Sequence, residues 1–117
     1  MGKLTTHVLD THAGVPAGGV RIELHAIVSG ATRSIGTYVT ADNGRLPSSL
    51  LEGDALHRGR YELTFHIGEY FRSRGVQLPD PPFIEEAVVR IGIADASQHY
   101  HVPLLITPWS YSVYRGG

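Results

Sequence analysis

Apolar residues in this chain recur at every second position through four separate stretches, and that spacing constrains the fold more than any other feature. Val20, Ile22, Leu24, Ala26 and Val28 alternate with Arg21, Glu23, His25 and Ile27. Tyr61, Leu63, Phe65 and Ile67 alternate with Glu62, Thr64 and His66, and Ala87, Val89, Ile91 and Ile93 with Val88, Arg90 and Gly92. Tyr100, Val102, Leu104 and Ile106 alternate with His101, Pro103 and Leu105. Successive side chains of a strand point to opposite faces, so each stretch reads as a strand with one face in a core. Shorter candidates at residues 4–10, 32–40, 45–51 and 109–115 bring the expectation to eight strands. Turn chemistry at residues 13–19, 29–31, 42–44 and 95–97 separates them, and Asp80-Pro81-Pro82 can continue neither a ladder nor a helix.

Only residues 69–74, stopped by Gly75, read as helix. Many short strands with one brief helix predict an all-β fold, an antiparallel two-sheet sandwich. A length of 117 residues suits a single domain spanning 1–117. The 42% apolar and 18% charged fractions are those of an ordinary folded domain rather than a disordered chain.

Ten basic and eleven acidic residues leave a net charge of -1 with no block of one sign, which argues against nucleic acid as a partner. No apolar run is long enough to span a membrane, and the N-terminal residues lack a signal core, so a cytoplasmic location is expected. The absence of cysteine removes disulfides, a thiolate nucleophile and any sulfur-ligated zinc. Seven histidines are unusual in so short a chain.

His99 and His101 lie at i and i+2 on what the alternation makes the outer face of their strand. Such a pair could share a metal, but a third ligand is needed and no nearby carboxylate supplies one on that face, so no metal is expected. Pro103 within the same strand suggests an edge or a bulge. His7 occupies the first strand with its face ambiguous, because Thr5, His7 and Leu9 oppose Leu4, Thr6 and Val8. Arg45 follows the turn Asp42-Asn43-Gly44, and the last segment carries Tyr111, Tyr114 and Arg115, rich for a chain end. His12, His25, His57 and His66 read as loop or polar-face residues.

These same stretches resemble one family. Leu4-Thr5-Thr6-His7-Val8-Leu9-Asp10, then Gly14-Val15-Pro16-Ala17, Thr40-Ala41-Asp42-Asn43-Gly44-Arg45, His99-Tyr100-His101-Val102-Pro103-Leu104-Leu105 and Ser110-Tyr111-Ser112-Val113-Tyr114-Arg115-Gly116 are similar to the transthyretin-like 5-hydroxyisourate hydrolases, in order and at family spacing. The resemblance implies a transthyretin-like eight-stranded sandwich that pairs edge strands into dimers and stacks two dimers into a homotetramer around a channel. It implies hydrolysis of the N1–C6 lactam bond of 5-hydroxyisourate, a product of urate oxidation, to 2-oxo-4-hydroxy-4-carboxy-5-ureidoimidazoline.

Carried over residue by residue, the family's functional positions fall on His7, Arg45, His101 and the Tyr114-Arg115-Gly116 segment. One imidazole, His7 or His101, would act as base toward water, and Arg45 would meet the oxyanion and the polar substrate. Tyr114 would close over the flat ring, with Arg115 beside it. No cofactor is implied. The family pattern usually ends Tyr-Arg-Gly-Ser, whereas Gly117 stands in the last place here, so a step assigned to that hydroxyl does not carry over and activity is expected to persist without it. A hormone carrier of the same fold is the competing reading. It has no need of paired histidines and an arginine, whose desolvation against an aromatic ligand would be costly.

Overall fold

The alternating stretches form strands that stack in two layers. The computed structural model describes all 117 residues. Its elements are β1 (Lys3–Asp10), β2 (Val15–Pro16), β3 (Arg21–Val28), β4 (Ala31–Val39), β5 (Leu51–Glu52), β6 (Gly59–Phe65), α1 (Ile67–Ser73), β7 (Ala87–Ile93), β8 (His99–Ile106) and β9 (Tyr111–Val113). One sheet has the order β2-β1-β8-β9, with β5 also paired to β1; the other has the order β4-β3-β6-β7. Every pairing is antiparallel except β1 with β8, which run parallel. A parallel pair needs a long crossover, and here the entire second sheet and α1 intervene between the two strands.

The period-two pattern decides what each layer buries. Leu4 and Val8 of β1, with Val102, Leu104 and Ile106 of β8, face Ile22, Leu24, Leu63, Phe65 and Ile93 of the other sheet. Ile67, Tyr70 and Phe71 of α1 are buried with them. Two polar groups go inward with β1, and both are satisfied. Thr6 Oγ1 donates to the Val102 carbonyl at 2.7 Å. Asp10 accepts the Tyr70 hydroxyl at 2.8 Å and the Ala13 N–H at 2.9 Å. Burial, reinforced by that bond to Asp10, raises the pKa of Tyr70 above the ordinary phenol value.

Four expectations are corrected. Residues 45–51 form no continuous strand: Pro47 offers no N–H, and only Arg45, as an isolated bridge to His7, and Leu51–Glu52, paired to β1, join the sheet. The last strand is confined to Tyr111–Val113, because Thr107 Oγ1 accepts the N–H groups of Trp109 (3.0 Å) and Ser110 (2.9 Å) and closes a turn there. Pro103 marks neither an edge nor a bulge, since β8 lies between β1 and β9 in unbroken register with β1. The β9 ladder ends at Val113, opposite Leu104, so it asks no N–H of Pro103. The helix begins two residues before the expected start and stops before Gly75.

Candidate active site

Burial resolves the face of β1. Leu4, Thr6, Val8 and Asp10 go inward, which leaves Thr5, His7 and Leu9 on the outside of the sheet. On β8 the inward set is Tyr100, Val102, Leu104 and Ile106, so His101 is on that same outer side. The parallel register sets Thr5 opposite His101 and His7 opposite Pro103. His7 and His101 are therefore diagonal neighbours on adjacent strands.

Arg45 arrives from a different part of the chain. The turn at Ala41-Asp42-Asn43-Gly44 is closed by Gly44 N–H to Ala41 O (2.8 Å) and Ala41 N–H to Arg45 O (2.8 Å). Gly44 has φ +78, and a Cβ there would run into the Val8 carbonyl oxygen, so only glycine lets the turn lie against β1. Val8 N–H then donates to Gly44 O at 2.9 Å, and Arg45 forms a backbone bridge with His7. Asn43 fixes both neighbours: its Oδ1 accepts the Arg45 N–H at 2.9 Å, and its carbonyl accepts His7 Nε2–H at 3.0 Å.

The chain end supplies a fourth component. Gly116 N–H donates to the His101 carbonyl at 2.8 Å, packing the tail against the histidine. His101 is half-buried, and its Nδ1 is 2.8 Å from Thr5 Oγ1. Burial first, then the charges of Arg45 and His7, lower its pKa below the ordinary imidazole value. The guanidinium of Arg45 has no carboxylate partner, which leaves a permanent cation open beside two imidazoles. A polar recess of about 400 Å³ is lined by Arg45 and Thr5 together with Lys3, Ser48 and Glu52.

His7, Arg45 and His101 are thus brought together from three distant segments. Arg115 takes another direction: its guanidinium lies 4.2 Å from the centre of the Tyr100 ring and donates to Gln98 Oε1 (3.0 Å) and the His99 carbonyl (3.1 Å). It borders a different cleft, shared with Val89, Ile91 and Tyr114, on the side of β8 that carries Tyr100 and Val102. Tyr114 is 57% exposed. No group of three or more His, Cys, Asp or Glu side chains is gathered as a metal would require, and His99 is exposed. Sequence reasoning missed Thr5 and Asn43 as partners of the histidines. Asn43 was legible only as a turn former, and Thr5 only as a polar strand residue until the β1–β8 register was known.

The chain is thus a transthyretin-type sandwich carrying two imidazoles and a guanidinium without a carboxylate partner on one outer sheet face. The HIUase/Transthyretin family model matches residues 4–116, and the chain belongs to that family. It is 54% identical over 116 residues to the 5-hydroxyisourate hydrolase of Ralstonia nicotianae, covering 99% of each chain. Among solved structures, that of Klebsiella pneumoniae 5-hydroxyisourate hydrolase superposes with a TM-score of 0.81 at 33% identity over the full length of both chains. (S)-allantoin synthase superposes with a TM-score of 0.93 at 45% identity, with 99% of this chain spanning 44% of that longer one.

Proposed function

We propose that this chain is a hydrolase that opens the N1–C6 lactam bond of 5-hydroxyisourate, yielding 2-oxo-4-hydroxy-4-carboxy-5-ureidoimidazoline in urate degradation. The observation that carries this reading is the convergence of His7, Arg45 and His101: Arg45 bridges His7, and both act electrostatically on His101. The similarity to the Ralstonia nicotianae and Klebsiella pneumoniae hydrolases supports the same substrate.

The chemistry needs a base, a stabiliser of negative charge and a proton for the departing nitrogen. Water loses a proton to an imidazole as its oxygen bonds to C6, and the C6 oxygen gains charge. Arg45 faces that charge with planar donors, and the neighbouring imidazole adds a further polar contact. Collapse breaks C6–N1, and N1 takes the proton that the base removed from water. Arg115, anchored at the separate cleft it shares with Tyr114, orders the tail that brings Gly116 against His101. None of these steps uses a cofactor.

The assembly belongs to the same proposal. The outer edges of β7 and β9 are unpaired, and Phe83 and Trp109, whose ring centres lie 6.1 Å apart, are 74% and 58% exposed. Open edges with exposed aromatics favour pairing with a second copy. Two such dimers, stacked through the sheet face that carries His7 and His101, make the tetramer and enclose the site. Sedimentation equilibrium is expected to give four times the 12.7 kDa chain mass, and a monomer would contradict the assembly. For the activity, freshly generated 5-hydroxyisourate is followed by its ultraviolet absorbance. Decay faster than in buffer supports the reading, and decay at the buffer rate overturns it.

A further inference from the structure

We propose that Thr5 is a positioning residue: its hydroxyl holds the His101 ring with the lone pair on Nδ1 and the proton on Nε2, so that His101 meets the substrate as a hydrogen-bond donor and His7 alone carries the basic nitrogen. This rests on the function proposed above and deepens it, because the two histidines are otherwise interchangeable as bases.

The assignment follows from what each ring nitrogen touches. Thr5 and His101 are direct partners in the parallel β1–β8 pair and share its outer side. Thr5 Oγ1 is 2.8 Å from His101 Nδ1, and that nitrogen is the one protein group the hydroxyl reaches. The adjacent Thr6 faces inward and gives its proton to the Val102 carbonyl, so the two threonines serve different layers. A hydroxyl whose only partner is a ring nitrogen is best satisfied by donating to it, which puts the remaining ring proton on Nε2.

His7 is held in the opposite sense. Its Nε2 is 3.0 Å from the Asn43 carbonyl, which can only accept, so Nε2 carries the hydrogen and a neutral His7 keeps its lone pair on Nδ1. Neither His7 Nδ1 nor His101 Nε2 has a protein partner, so both are open to substrate. Burial first, and the Arg45 guanidinium beside it, lower the His101 pKa and so favour the neutral ring, the state in which its tautomer matters. A neutral imidazole is a poor proton donor in the full sense but a strong dipole beside a developing oxyanion. The proton balance closes on one base. His7 Nδ1 takes a proton from water as the C6–O bond forms and returns it to N1 as C6–N1 breaks. His101 Nε2–H and Arg45 stabilise the oxygen throughout without exchanging a proton.

The test combines nitrogen NMR with kinetics. Protein labelled with 15N-histidine, without substrate, is examined through the two-bond nitrogen–proton couplings of His101, assigned by their loss in His101→Gln. The wild-type ring is expected in the Nε2–H form. Thr5→Val is expected to mix the tautomers and to lower kcat about tenfold with KM within about twofold, while Thr5→Ser, which keeps the hydroxyl, restores both. An Nδ1–H ring in the wild type, full kcat in Thr5→Val, or failure of Thr5→Ser to restore it overturns the assignment. If Thr5→Val does not fold, the wild-type tautomer and Thr5→Ser decide. If the wild type does not turn over 5-hydroxyisourate, the proposed function falls, and the tautomer, read without substrate, still upholds or overturns the hold that Thr5 has on the ring.

Discussion

Gly116 packs so closely on His101 that a Cβ added there would stand 2.8 Å from His101 Cδ2 and 3.2 Å from Pro103 Cγ. Side chains do not approach that closely, so the ring or the tail must move. Gly116→Ala is therefore expected to displace the imidazole and lower kcat by about 10²-fold, since a misplacement near 1 Å has that effect on a positioned catalytic group. Steady-state kinetics check the rate, and circular dichroism is expected to show the sandwich unchanged.

Arg115 holds the tail that brings Gly116 to this place, through the Tyr100 ring and the Gln98 and His99 oxygens. Arg115→Ala removes all three contacts at an exposed position. Its thermal midpoint is expected to change little, because each contact is solvated. Hydrogen exchange of the Gly116 amide is expected to quicken, and kcat to fall with it.

Arg45→Gln separates charge from shape. Losing the guanidinium is expected to lower kcat about 10²–10³-fold, the usual consequence of removing one stabilising donor from an oxyanion. It also removes a positive neighbour of His101, so the His101 titration midpoint, read by NMR, is expected to move upward. The sign for stability follows. His101 binds its proton at lower pH when folded than an ordinary imidazole does, so as pH falls through the imidazole range the unfolded chain holds more protons and stability decreases. Arg45→Gln is expected to flatten that slope.

Tyr70→Phe tests the core. It leaves Asp10, 3% exposed, with one donor fewer. A hydrogen bond to a buried carboxylate contributes about 1.5–3 kcal/mol, and urea denaturation is expected to show a loss of that size with kcat unchanged.

Much of the fold was legible because burial follows the period-two pattern on β3 as far as Ala26, and on β6 and β8 apart from the buried Thr64 and Pro103. The pattern was silent on β1, where Thr6 and Asp10 go inward; only their partners Val102 and Tyr70, remote in sequence, make that burial tolerable. His66 misled in the same way. It reads as polar-face, yet it is 8% exposed and sits 2.6 Å from Glu23, whose pKa that bond lowers. Residues 45–51 failed as a strand because Pro47 outweighs a weak alternation. The site residues His7, Arg45 and His101 were named through family resemblance. Their meeting depends on a parallel β1–β8 pairing and a left-handed Gly44, and local spacing encodes neither.

The central claim is that two imidazoles and one guanidinium on a single sheet face carry out the ring opening. The most direct measurement compares the rate of 5-hydroxyisourate loss for the wild type, His7→Asn, His101→Asn and Arg45→Gln at equal concentration in one buffer. The account predicts fast loss with the wild type and rates lower by at least about 10²-fold for each variant. Variants as fast as the wild type, with their folds intact, would contradict it.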